Sequence, residues 1–179
     1  MAASRATAQR LRLATGLVLF AFAATHLLNH ALGLVSLHAM EVGRFWFLGF
    51  WRSLPGTVLL VGAAGVHVVL ALWKLFRGRG LSMPAWEWAQ VLLGLAIPVL
   101  LTVHVLGTRG AHEVFGVEDT YHWVLAVLWP DGALRQTLLT LVVWGHGCIG
   151  VHFWLRLRRW YARAFPGLYA LALLLPAFS

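Results

Sequence analysis

Apolar residues run along this chain in five long blocks, and polar residues fall mostly between them. The blocks cover residues 13–37, 55–76, 85–108, 134–156 and 164–178. Each predicts a helix, because hydrocarbon gives backbone N–H and C=O groups no partner outside their own segment. Pro55 and Pro84 stand at predicted helix starts, where a missing N–H costs little. Pro98 lies inside the third block and predicts a kink. A shorter apolar and aromatic run, YHWVLAVLW at 121–129, cannot cross a bilayer and predicts a helix lying along the interface. The pattern shows no low-complexity segment, and no repeat beyond one histidine-bearing helix after another. The expected fold class is an all-α membrane protein in one domain, 1–179, with five transmembrane helices of which the first four form a bundle.

Composition agrees. The 179 residues are 60% hydrophobic and 11% charged, where a soluble domain carries about 25% charged residues. The first block runs past the length of a signal-peptide core, and no small-residue cleavage site follows it, so it reads as a retained span. The fifth block is short for a span, and the chain stops at Ser179 without a polar tail. That pattern suggests a piece of a longer protein, cut within or just after its fifth helix. Cys148 is the only cysteine, which excludes an intrachain disulfide and a cysteine-based iron–sulfur or zinc site within the chain.

The net charge of +8 is explained by placement. Arg5, Arg10, Arg12, Lys74, Arg77, Arg79, Arg156, Arg158, Arg159 and Arg163 fall on one side of the predicted spans, and Arg44, Arg52, Arg109 and Arg135 on the other. The basic excess marks the cytoplasmic side and puts the N-terminus there. Cations in that pattern choose an orientation in lipid, and nucleic acid is not an expected partner. Glu113, Glu118, Asp119 and Asp131 gather in the long outer loop between the third and fourth spans.

Histidine changes the picture most. Of nine, His38, His112 and His122 fall in outer loops or at helix ends. The other six, His26, His30, His67, His104, His146 and His152, lie inside the blocks, at least one on each of the first four. Polar side chains are expensive in hydrocarbon and face the bundle interior or a functional site. At about 1.5 Å per residue from the basic end of each helix, His67 lies roughly 10 Å deep, His146 roughly 15 Å, His26 roughly 20 Å and His104 roughly 27 Å. The result is an inner pair from helices two and four and an outer pair from helices one and three, roughly 10 Å apart in mean depth. His30 shares a face with His26, one turn away, and height alone does not choose between them.

Two imidazoles at one height suit heme with two axial histidines. Zinc or copper takes three or four clustered ligands. A proton relay would include acids within the membrane, and Glu87, at a helix start, is the acid closest to a span interior. Gly and Ala in VGAAG (61–65) and WGHGCIG (144–150) would let a flat macrocycle approach, and would also let helices pack closely. Arg109, five residues past His104, is placed to neutralise an outer propionate; Arg44 and His30 are further candidates around the outer group, and His152 around the inner. A quinone would need a polar group near an outer edge, with Ser36, His38 and Asn29 available. No nucleophile–base pair or phosphate-cradling loop stands out.

The motifs carrying these histidines resemble those of the diheme cytochrome b membrane anchors of succinate dehydrogenases and fumarate reductases, over about residues 13–160. THLLNHA resembles the first ligand motif, which implies His26 rather than His30. VHVVLALW resembles the second and implies His67, VHVLGTRGA the third and His104, and GHGCIGVHFW the fourth and His146. The Thr-Arg that follows His104 by four and five positions lies in the most specific of these motifs. The resemblance implies two b hemes, His26/His104 outer and His67/His146 inner. The chain as a whole is similar to the N-terminal membrane domain of bacterial adenylate/guanylate cyclases, where such an anchor precedes a cytoplasmic cyclase domain. The implied function is electron exchange with membrane quinone in the bacterial inner membrane, with the anchor sensing redox state for the cyclase. The alternatives are the quinone-reactive anchor of a succinate dehydrogenase or fumarate reductase, docked to flavoprotein and iron–sulfur subunits, and a heme-free anchor or transporter. Lipid is the common partner, and a homodimer is a candidate assembly.

Overall fold

The computed structural model describes residues 2–77 and 83–179. Arg79, counted above with the basic end, lies outside them, as does the side chain of Arg5. The described chain is helical throughout, with no strand among the described residues: α1 (Ala2–Ala31), α2 (Leu37–Arg52), α3 (Leu54–Phe76), α4 (Ala85–Val105), α5 (Ala111–Phe115), α6 (Tyr121–Leu128), α7 (Ala133–Leu155) and α8 (Tyr161–Ala177).

Among the described residues, four helical stretches are long and apolar enough to cross a membrane: Ala6–Leu34, Leu54–Arg77, Ala85–Phe115 and Ala133–Leu155. The fifth predicted block is a helix, α8, but its 17 residues reach about 26 Å against a hydrocarbon core of about 30 Å. It folds back along α7, where the Trp144 indole N–H donates to the Ala172 carbonyl at 2.7 Å. Large apolar side chains point outward along the spans, among them Val58, Val99 and Leu141. That is the arrangement expected where the surrounding medium is hydrocarbon rather than water.

The third span is longer than the sequence pattern suggests. α4 passes through Pro98 as one helix, continues through a π turn at Leu106–Gly110 directly after His104, and runs on as α5. Gly116, at φ 66°, ends it in the left-handed conformation that glycine adopts without steric cost.

Between the first two spans, where no element was expected, lies α2. Ser36 caps it, its hydroxyl accepting from the Ala39 N–H at 3.0 Å. Met40, Gly43 and Trp51 form its buried stripe, while Phe45 and Trp46 are exposed. The short run at 121–129 is helical as α6, capped by Thr120.

The spans pack as two pairs, α1 along α3 and α4 along α7, which meet mainly where α1 touches α7. Each pair is joined through an outer helix, α2 in the first half and α6 in the second. The hydrophobic pattern alone does not reveal this twofold order.

Candidate functional site: two imidazole pairs

The two histidine layers form as paired. The His67 and His146 rings lie 6.3 Å apart between centroids, at 85°. The His26 and His104 rings lie 6.2 Å apart, at 71°. With a metal–imidazole bond of about 2.0 Å and a ring centre about 1.15 Å behind its nitrogen, two imidazoles on opposite sides of one metal place their centroids about 6.3 Å apart. Both spacings fit that geometry. Among the described residues, no group of three or more His, Cys, Asp or Glu is arranged to hold a metal ion.

The chemistry of the ring nitrogens fits as well. His67 Nδ1 donates to the Arg12 carbonyl at 3.1 Å, and His146 Nδ1 donates to the Gln90 carbonyl at 3.1 Å. His104 Nδ1 donates to the Gln136 side-chain oxygen at 3.1 Å. A carbonyl only accepts, so each of these rings carries its proton on Nδ1 and keeps its lone pair on Nε2. Such outer partners fix the tautomer and orientation of metal-binding histidines. His26 differs: its Nδ1 is buried without a partner, and its ring stacks on Phe22 at 5.6 Å.

The inner pair is built twice over from equivalent parts. Arg12 and Gln90 are 78 residues apart, as are Gly16 and Gly94, and His26 and His104; His67 and His146, like Thr57 and Gln136, are 79 apart. Gly16 lies against His67 as Gly94 lies against His146. The chain therefore contains an internal repeat, faint in the sequence because few positions preserve it. On each spanning helix, ten residues separate the layers: Gly16 to His26, Thr57 to His67, Gly94 to His104 and Gln136 to His146. At about 1.5 Å per residue that is about 15 Å, more than the roughly 10 Å expected from counting inward from helix ends.

The remaining candidates fall around these layers. His30 is a third ring beside the outer pair, 4.5 Å from His26 and 5.4 Å from Tyr121. Arg109 donates to the Thr57 hydroxyl at 3.2 Å and approaches Glu113 at 3.5 Å, which places it beside the outer layer. Arg44 is held by Glu41 at 2.6 Å and by Asp119 at 3.2 Å. His152 lies six residues past His146, and its Nδ1 pairs with the Tyr161 hydroxyl at 2.7 Å. Of the polar groups considered for a quinone, Ser36 caps α2 and His38 is exposed. Asn29 has no exposure, and its amide donates to the Tyr121 hydroxyl at 2.6 Å.

A polar clamp closes the outer end. The Tyr121 N–H donates to Glu41, and Asp119 accepts from both Arg44 and Arg52. Burial pushes the Tyr121 phenol up to about 12, so it stays protonated. Burial would raise the Asp119 carboxyl too, but the Arg52 hydrogen bond and the charges of Arg52 and Arg44 outweigh it and hold the group below the usual carboxylate range. Beside His104 opens a pocket of about 300 Å³, lined by Trp123, Val124, Asp131, Arg135 and Gln136 among others.

The seats of the imidazoles were not foreseen. Gly62 and Gly65, prominent before His67, face open space, whereas Gly16 and Gly94 press on the rings. The available signal was a glycine ten residues before a histidine, occurring twice, in GLVLFAFAATH and GLAIPVLLTVH. Comparison with protein-family models, with curated proteins and with solved structures yields no match to this chain.

Proposed function

We propose that the chain is a membrane diheme b-type cytochrome, with one heme between His26 and His104 and another between His67 and His146. The observation that carries this reading is the pair of imidazole spacings, 6.2 and 6.3 Å, each made by two different helices. Heme iron with two imidazole ligands supplies one-electron transfer and keeps no coordination position open for substrate. The protein's part is to hold Nδ1 protons on the Arg12, Gln90 and Gln136 oxygens, so that Nε2 is the electron-pair donor. Embedded in lipid, its apolar helices would keep bulk water from both layers.

The reading extends to electron exchange with membrane quinone. The pocket beside His104 offers a mixed aromatic and polar lining for a quinone ring at the outer layer. At the basic face, the receiver is a cytoplasmic adenylate cyclase whose activity follows the redox state; the similarity of the chain as a whole to the membrane domain of bacterial adenylate/guanylate cyclases supports this step.

The test is purification in mild detergent, followed by oxidised and dithionite-reduced absorption spectra and a pyridine hemochrome assay. Two b hemes per chain with low-spin bis-imidazole spectra are expected. His104→Ala and His146→Ala are each expected to leave one. A folded chain with no heme, or with one, overturns the proposal.

A further inference from the structure

Each imidazole of the inner pair is seated on the backbone of the neighbouring helix. In an α-helix the carbonyl of residue 12 accepts from the N–H of residue 16, and that of residue 90 from the N–H of residue 94. Those same two carbonyls also accept from His67 and His146. The rings therefore rest on the one turn of each helix that ends in glycine. A Cβ on Gly16 would stand 3.0 Å from His67 Cε1 and 3.3 Å from its Nδ1; on Gly94 it would stand 2.9 and 3.3 Å from the same atoms of His146.

We propose that Gly16 and Gly94 are positioning residues for the inner heme, admitting each imidazole to a helix carbonyl and thereby aiming its Nε2. The inference rests on the diheme reading and adds to it the device that orients the ligands. A ring held only at its Cβ swings away from an added methyl at little cost. A ring held at Nδ1 by a carbonyl and at Nε2 by a metal has no such freedom. The penalty of a methyl therefore falls on the metal-bound state and spares the empty protein. The outer pair uses no such seat, since no described glycine lies against His26 or His104.

The experiment compares the unsubstituted full-length chain with Gly16→Ala, Gly94→Ala and a control, Gly62→Ala, whose added methyl meets open space. His146→Ala supplies the reference signal of a chain without its inner heme. Heme per chain and low-temperature EPR of the oxidised protein are read for each. Gly62→Ala should match the unsubstituted chain. Gly16→Ala and Gly94→Ala should keep the outer signal and bind the inner heme about 10- to 100-fold more weakly, or with a shifted g value. Two hemes with an unchanged inner signal in both variants would overturn the proposal. So would equal loss of both signals, which would mark the glycines as general packing residues. An unsubstituted chain without two hemes would instead sink the diheme reading itself.

Discussion

Asn29 and Tyr121 show how one residue pair fastens the outer end of the bundle. Asn29 is fully buried on α1, and its amide reaches the hydroxyl of a tyrosine at the start of α6. Removing one partner strands the other in an apolar setting, which costs about 1–3 kcal/mol. Asn29→Ala is thus expected to lower thermal stability in detergent, and Tyr121→Phe to do likewise. The double variant should lose less than the sum, and additive losses would show that the bond is not shared. Gln136 is a second such residue. Gln136→Leu removes the acceptor of His104 Nδ1 and should make the imidazole a poorer donor. On the diheme reading, a redox titration should then show the outer midpoint moved upward with the inner one unchanged. Movement of both, or of neither, would separate Gln136 from the ligand.

At the scale of elements, α2 and α6 are joined by charge rather than by a broad apolar face. Asp119 bridges Arg44 and Arg52 just before α6, and Glu41 takes the first N–H of that helix. In the unfolded chain Asp119 has an ordinary carboxyl, and in the folded chain it ionises more readily. Its stabilisation is therefore complete above the ordinary carboxylate range and is lost as pH falls through the lowered folded value. Thermal stability measured from neutral pH down to about pH 3 should decline in the acid range. Asp119→Asn should start lower at neutral pH and decline less steeply; parallel curves would rule out the clamp. Four of the five predicted spans, and the pairing by depth of the first with the third and of the second with the fourth, were legible in the sequence, because helix rise converts residue number into depth; depth did not separate His26 from His30, and that choice rested on the motif resemblance. α2 was not, because Glu41, Arg44, Gly43 and Gly49 interrupt its apolar pattern. The seats of the rings were invisible for a different reason: two of the acceptors are backbone carbonyls, and no side chain advertises them.

For the molecule as a whole, the contacts of Arg12, Trp86 and Arg156 gather at the inner pair's end, and those of Arg52, Arg109 and Asp119 at the other. If the basic end is cytoplasmic, single cysteines at Arg159 and Glu118 in a Cys148→Ser background should react with an impermeant thiol reagent from opposite sides of a bacterial membrane. Labelling from the same side would contradict the topology, and reversed labelling the orientation. The repeat has a consequence for assembly. Each imidazole pair takes one ring from the first half of the chain and one from the second: His26 with His104, and His67 with His146. Any group held between them is a rivet joining two halves whose direct contact runs mainly through α1 and α7. Were the chain severed between α3 and α4 and the fragments made together, neither fragment would own a complete site. On the diheme reading, their reunion would then depend on supply of heme, and the colour of the product would report that the halves had found each other.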